Sequence, residues 1–245
     1  MSYSAQYYSP AQTASIADGG SSKFEFQGLS ALAYAFNKIN VGCDDESALN
    51  QIKASASLNQ DRNQIFSNVH LLALRRLFEL RSLHGGYLIP ETRILEVTVE
   101  NQSGATRQIG MDLNGYDGPQ YEAKVNDLLS RDQNIPNPEF LYATQSIPAN
   151  AVLNEIVINR SASKTRLHRI AVSTTSDANI QIAFKISSTT VIPLRFVAQL
   201  NAQFANRGLI LPVVIPTNET FSAQVTNLDG VNAHEVSIIC ESYLV

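Results

Sequence analysis

The sequence contains no tryptophan, only two cysteines and unusually few charged residues. Charged residues make up 16% of the 245 residues, whereas about a quarter is usual in globular proteins. Amides take their place, with 20 Asn and 15 Gln. The formal net charge of −4 argues against a general nucleic-acid binder, because such proteins are usually basic. An amide-rich surface meets other surfaces through hydrogen bonds rather than through strong electric fields.

Long apolar runs are missing as well. No run approaches the roughly 18 residues that a membrane helix needs, so we expect no membrane partner. Residues 1–22 lack the basic and apolar regions of a secretory signal, and we expect synthesis in the cytoplasm without signal-dependent export. Cys43 and Cys240 lie far apart and neither belongs to a CxxC motif. Two free thiols are therefore favoured over a disulfide, and zinc is not expected.

Motifs that carry chemistry are also missing from the sequence. It has no P-loop, no GxGxxG and no GxSxG, and its four histidines lack HExxH spacing. Asp112, Asn114 and Asp117 have part of the spacing of a calcium loop but lack its terminal Glu, so a turn is expected there. We predict no catalytic residue, no cofactor and no metal site, and an enzyme is the least favoured class of function.

Residues 1–22 are predicted to form a flexible arm. The segment has one charged side chain, Asp18, and ends in Gly-Gly-Ser-Ser, which is typical of a disordered tail. Tyr3, Tyr7 and Tyr8 are amphipathic side chains that bind well at interfaces. The alternative is therefore an arm that orders against a neighbouring subunit. We expect deletion of residues 2–20 to preserve the fold and to weaken assembly.

Residues 23–86 are predicted to form a helical region. Its clearest helix covers about residues 64–84, where apolar residues recur at helical spacing and Gly85-Gly86 would end the helix. A helix so apolar must be buried on most sides, either inside its own subunit or against another chain. We select as candidate assembly contacts the following residues of this helix: Val69, Leu72, Leu77 and Leu80.

From residue 87 the apolar period changes from 3.6 to 2, which indicates strands. Polar turns separate ten candidates, at residues 93–99, 108–113, 140–144, 153–159, 169–174, 179–187, 191–198, 209–215, 220–226 and 235–245. Many short strands without a long helix predict a β-sandwich of jelly-roll type over residues 87–245. The fold class expected for the whole chain is therefore mainly β, with a helical N-terminal region.

An Ile-Pro pair opens the same pattern three times, at Ile89-Pro90, Ile147-Pro148 and Ile215-Pro216. Each pair is followed by apolar residues at offsets six and ten from the Ile and by Asn at offset twelve. Offsets six and ten share parity, so both side chains should point to one face of a strand, and Asn should close it in a turn. We favour three similar hairpins in one sandwich over a duplication.

A short basic segment lies within this region. It consists of Arg160, Lys164, Arg166 and Arg169. A solvated loop is the simpler interpretation, and a contact with an acidic partner is the functional one.

The Ile-Pro-led strands and the hairpins rich in Gln, Asn, Ser and Thr, such as residues 215–221, resemble those of bacteriophage virion structural proteins. Jelly-roll capsid, vertex and cement subunits are the most similar, over residues 87–245. The resemblance implies a virion protein that assembles with itself and with other virion proteins, on the capsid or neck, without catalysis. The alternative is a receptor- or carbohydrate-binding sandwich, with Tyr116, Tyr121 and Tyr142 as candidate loop aromatics.

Overall fold

The computed structural model describes residues 11–27, 34–59, 64–79, 83, 86–90, 92–117, 138–160, 162–204 and 213–244. Within these ranges the chain is mostly β, and every strand pairing is antiparallel. All ten strands predicted from the alternating pattern overlap observed strands.

The described residues of the first half form eight strands, one α-helix and a short 3-10 helix. In chain order these are β1 (Ala11–Ile16), β2 (Ser21–Phe26), β3 (Tyr34–Cys43), the 3-10 helix (Glu46–Asn50), β4 (Ile52–Leu58), β5 (Gln64–His70), α1 (Leu71–Glu79), β6 (Tyr87–Ile89), β7 (Leu95–Asn101) and β8 (Arg107–Asp117).

The described residues of the second half repeat this order of strands and α-helix, without the 3-10 helix. In chain order they are β9 (Glu139–Ile147), β10 (Asn154–Arg160), β11 (Thr165–Thr174), β12 (Ile180–Ile186), β13 (Thr189–Phe196), α2 (Val197–Phe204), β14 (Val213–Ile215), β15 (Thr220–Asn227) and β16 (His234–Leu244). In both halves the α-helix follows the fifth strand.

The strand order is the same in the two halves. The first half forms the sheets β1-β8-β3-β6 and β2-β7-β4-β5, and the second forms β9-β16-β11-β14 and β10-β15-β12-β13. When the strands of each half are counted from one to eight, both halves read 1-8-3-6 and 2-7-4-5. Eight antiparallel strands in two such sheets make a jelly roll. We call the two units roll 1 and roll 2.

Irregularities in the strand pairing repeat as well. The register between the third and eighth strands shifts between Phe36 and Lys38 in roll 1 and between Leu167 and Arg169 in roll 2. A second shared shift lies between the fourth and fifth strands. Bulges are specific features of a sheet rather than defects, so their coincidence indicates a structural duplication. The preference for similar hairpins within one sandwich was therefore wrong.

Two of the three Ile-Pro pairs occupy equivalent places in the duplication. Ile89 and Ile215 each end the sixth strand of a roll, whereas Ile147 ends the first strand of roll 2. The apolar residues at offsets six and ten are buried after the first and third pairs. After the second pair they are Leu153 and Val157, which are 48% and 47% exposed. In that copy the two apolar side chains therefore do not belong to a core.

The helical region predicted for residues 23–86 is not what the structure contains. Most of β2 and all of β3, β4 and β5 lie within it, and the described helix α1 covers only residues 71–79. Residues 64–70 pair with β4 instead of continuing the helix, and Asn68 has a left-handed φ of 52°. Ser67 and Asn68 are weak helix formers, and pairing with β4 buries both Phe66 and Val69. Tertiary pairing thus overrides the helix-like spacing.

The part of the predicted arm that the structure describes is also β. Residues 11–16 pair with β8, Gly19 takes a positive φ of 70° in the following turn, and residue 21 begins β2. Tyr3, Tyr7 and Tyr8 lie outside the described residues. Strands β6, β7 and β8 complete the sheets of roll 1, so the sheets do not divide at residue 87.

Each roll has an apolar core between its two sheets. The core of roll 1 also includes Phe140, Ala171 and Ile239, which belong to strands of roll 2. The two rolls are therefore joined through apolar packing and not only through the connecting chain.

Candidate functional site

The two rolls meet along a buried seam, in which β5 and α1 of roll 1 lie against β9, β11 and β16 of roll 2. Phe140 is the centre of its apolar part. The ring of Phe140 lies 6.1 Å from the rings of Phe66 and Tyr87 and 6.3 Å from that of Phe78, measured between centroids. Such aromatic contacts add to the burial of apolar area, so this end of the seam stabilises the pair of rolls.

A polar network continues the seam around His70, which has no exposed surface. Its Nδ1 lies 3.1 Å from Ser173 Oγ and its Nε2 3.1 Å from Glu235 Oε2, while its backbone N–H donates to Ser237 Oγ. The other oxygen of Glu235 accepts a bond of 2.7 Å from Lys53 Nζ. The contacts with His70 and then with Lys53 lower the pKa of Glu235 to about 2. Glu235 thus remains ionised between its two partners.

Serine, histidine and glutamate are also the residue types of a nucleophilic triad. Here both Ser173 and His70 are completely buried, so a substrate has no access to the serine hydroxyl in this structure. Buried polar groups of this kind need partners, and His70 finds its partners on the opposite roll. The network therefore fixes how the rolls are oriented.

A second buried pair explains one of the four basic residues. Arg169 is 3% exposed, forms an ion pair with Glu241 and donates to the carbonyl of Leu77 across the seam. The hydroxyl of Tyr243 donates to the same carboxylate. Arg169 is therefore paired inside the chain. The functional interpretation of the basic segment required Arg169 to be available to an acidic partner, and it is not.

The remaining basic residues lie outside the seam. Lys164 and Arg166 are exposed, while the side chain of Arg160 lies outside the described part of the chain. A contact of these residues with an acidic partner stays a prediction.

Among the candidate assembly contacts of the predicted apolar helix, some are buried within the chain and one lies outside the described residues. Val69 belongs to β5 and Leu77 to α1, and both are buried within the chain. Leu72 is partly buried against the core of roll 1, and Leu80 lies outside the described residues. The described contacts that we assigned to a neighbouring subunit are thus buried in or against the core of roll 1, to which roll 2 contributes Phe140, Ala171 and Ile239.

A buried asparagine closes one end of each roll. In roll 1, Asn101 Nδ2 donates to the carbonyls of Ile16 (2.9 Å) and Ala105 (2.7 Å), and its Oδ1 accepts from the N–H of Ser103. Ile16 is the last residue of the first strand, and Ala105 lies in the turn between the seventh and eighth. One side chain thus connects two turns.

Asn227 does the same in roll 2. Its Nδ2 donates to the carbonyls of Ile147, Pro148 and Asn232, and its Oδ1 accepts from the N–H of Asp229. The sequence pattern predicted an Asn in a turn at these two positions. It did not reveal the bond to the first strand, because that strand lies about eighty residues earlier in the chain.

The aromatic candidates for a ligand-binding loop do not come together in the part of the chain that is described. Tyr142 lies on β9 and packs against the core of roll 1. Tyr121 and the side chain of Tyr116 lie outside the described residues. A site formed by these three residues therefore stays a prediction of the receptor- or carbohydrate-binding alternative.

Both cysteines are free, as predicted. Burial raises the pKa of the Cys240 thiol well above its ordinary value. Within the ranges described, no group of three or more His, Cys, Asp or Glu is placed to hold a metal ion. The helices described there are also too short or too polar to cross a membrane.

The strand order and the seam define a tandem jelly-roll protein. The sequence matches no described protein family and no curated protein. Among solved structures, the chain is similar to the major capsid protein P2 from bacteriophage PM2, with a TM-score of 0.48, 10% identity, and coverage of 96% of this chain and 98% of that chain. It is also similar to a recombinant N-glycanase F, with a TM-score of 0.35, 10% identity, and coverage of 96% and 95%.

Proposed function

We propose that the chain is a structural subunit of a virus particle, specifically of a bacteriophage, and that it associates with itself and with other virion proteins. The observation that carries the proposal is the pair of jelly rolls with one strand order, held together by a buried seam. Jelly rolls serve in capsids and in lectins, and a fold alone does not identify a function. The rigid pairing of two equal units favours the capsid role.

The geometry fits a repeating subunit of a shell better than a binding module. A seam that buries aromatic side chains and charge pairs holds the two rolls at a fixed angle, so that the chain presents two similar bodies to its neighbours. Three such chains in a closed ring set six rolls around one axis, and six-fold units pack a surface without gaps. The amide-rich exterior supplies hydrogen bonds for contacts between rings.

The solution mass of the purified chain tests the proposal. Light scattering on a sizing column should give a closed oligomer, with a ring of three at roughly 80 kDa, three times the 26.8 kDa of one chain. Electron microscopy of the concentrated protein should show rings or sheets. A monomer at all concentrations, combined with specific binding on a glycan array, would instead support the carbohydrate-binding alternative.

A further inference from the structure

The strand pairing aligns the two rolls residue by residue. Asn101 and Asn227 are equivalent, and through the pairing of the seventh with the fourth strand Lys53 corresponds to Gln181. The pairing of the fourth with the fifth strand then places His70 opposite Lys53 and Phe196 opposite Gln181. The last residue of β5 thus corresponds to the last residue of β13, and α1 corresponds to α2.

The same alignment applies to the sheet that receives His70. Ser237 pairs with Ser173 in roll 2, and at the equivalent positions of roll 1 Gly110 pairs with Gly42. Two residues before Ser237 lies Glu235, and two residues before Gly110 lies Gln108. The face of β9, β16 and β11 therefore corresponds to the face of β1, β8 and β3.

The seam uses only one surface of each equivalent pair. The β5–α1 surface is buried on the β9–β16–β11 face. On the β13–α2 surface and the β1–β8–β3 face many of the described residues are exposed, and we call these two the open surfaces. On β13, Thr189, Thr190 and Pro193 are exposed and Leu194 is 43% exposed. On the β1–β8–β3 face, the exposed residues are Ala11, Thr13, Ser15, Gly42 and Gln108.

At equivalent positions, the residues of the two open surfaces differ from those of the seam, and the differences on one surface complement those on the other. In the seam, a histidine rests on two serines and a lysine binds a glutamate. On the open surfaces, Phe196 occupies the position equivalent to His70, and Gly42 and Gly110 occupy the positions equivalent to Ser173 and Ser237. A larger ring thus corresponds to two positions without side chains. Gln181 and Gln108 occupy the positions equivalent to Lys53 and Glu235, and two amides can hydrogen-bond to each other.

The two glycines are not required by their own chain. Neither has a positive φ, a Cβ added at Gly42 would meet no atom within 4 Å, and one added at Gly110 would approach Thr13 Cγ2 no closer than 3.7 Å. Glycine weakens a strand and often marks a place where another chain segment comes close. In this protein the two glycines lie side by side on the open face.

We propose that the β13–α2 surface of one chain docks on the β1–β8–β3 face of a second copy and repeats the seam head to tail, with Phe196 against Gly42 and Gly110. This inference rests on the proposed self-assembly and names the surfaces that carry it. Because the contact is heterologous and both surfaces are present on each chain, successive copies add in one direction until a ring closes.

Side chains introduced at the two glycines test the docking face. Gly42→Val and Gly110→Val should each weaken self-association by about tenfold or more, while the thermal midpoint of the dissociated chain stays the same or rises. Thr98→Ile is the matched control, because Thr98 lies on β7 in the other sheet of roll 1. The control should associate like the original chain. Equal association of all three variants would overturn the proposal.

Cross-linking tests the pairing without depending on the valine variants. In a Cys43→Ser background, Phe196→Cys combined with Gly110→Cys should form disulfides between chains under mild oxidation, and Phe196→Cys combined with Thr98→Cys should not. If the chain is oligomeric but neither pair cross-links, the docking surfaces are wrong and the proposed self-assembly stands. If the original chain is monomeric at every concentration, both proposals fail.

Discussion

Replacement of the two buried asparagines by alanine tests whether the equivalent turns close both rolls. Asn101 makes three hydrogen bonds to backbone groups. Asn227 Oδ1 accepts one, and the two hydrogens of Asn227 Nδ2 are shared among three backbone carbonyls. Each bond contributes about 1 kcal/mol on average, and a buried carbonyl left without a partner adds to the loss. We expect Asn101→Ala and Asn227→Ala each to lower the free energy of unfolding by about 3 kcal/mol.

The measurement is urea-induced unfolding followed by circular dichroism, with thermal unfolding as a second readout. For a chain of this size, 3 kcal/mol corresponds to a drop of roughly 6–12 °C in Tm. Glu100→Ala is the control, since Glu100 is exposed and immediately precedes Asn101; its effect should stay within about 0.5 kcal/mol. Losses below about 1 kcal/mol for both asparagines would refute the assignment of closure to these side chains.

Three further predictions concern the seam and the N-terminus. The pKa of Glu235 is about 2 in the folded chain against an ordinary 4.5, so its contribution to stability is present above pH 4.5 and is lost as the pH falls towards 2. Acid titration of the unfolding free energy should show a loss of about 2 kcal/mol that Glu235→Gln lacks. Leu77→Asp should give insoluble protein on expression, because it places a charge at a position 3% exposed; a soluble, native-like variant would contradict this. Deletion of residues 2–20 removes β1 and should destabilise roll 1 in thermal unfolding, contrary to the expectation from sequence, whereas deletion of residues 2–9 should preserve the melting curve.

The strands of the second half and the last two of roll 1 were predictable from sequence because one side of each faces a core. In β7, buried residues alternate with partly exposed or exposed ones from Leu95 to Asn101, and this alternation is visible as a period of two. The order of the strands was not predictable, because it depends on pairings between residues far apart in the chain.

The start of β3 was misread for a different reason. Tyr34, Ala35, Phe36 and Asn37 at the start of β3 are all buried, since α1 packs against this strand in addition to the core. A strand covered on both faces loses its polar alternation and cannot be distinguished from a buried helix by periodicity. That ambiguity explains the start of β3, whereas β4 alternates between buried and partly exposed residues from Ile52 to Leu58, and this period of two was overlooked.

The seam could not be predicted from the sequence either. His70 and Glu235 are 165 residues apart, and each has an ordinary local context in the sequence. What the sequence does show is the third Ile-Pro pair with its Asn at offset twelve, which is the equivalent of the first. An alignment of the two halves that places Asn101 opposite Asn227 would have indicated the duplication.

The difference between the seam and its open counterparts has a physical reason if the open surfaces join separate chains. Two rolls in one chain are held close by the connecting segment, so the desolvation of a partly buried ion pair such as Lys53–Glu235 is tolerated between them. Two separate chains must also overcome the loss of translational and rotational freedom. An aromatic ring on a glycine surface, flanked by neutral amides, buries apolar area without the desolvation of charges. The replacement of His70 by Phe196, and of the ion pair by Gln181 and Gln108, is therefore the change expected where one seam forms within a chain and its repeat forms between chains.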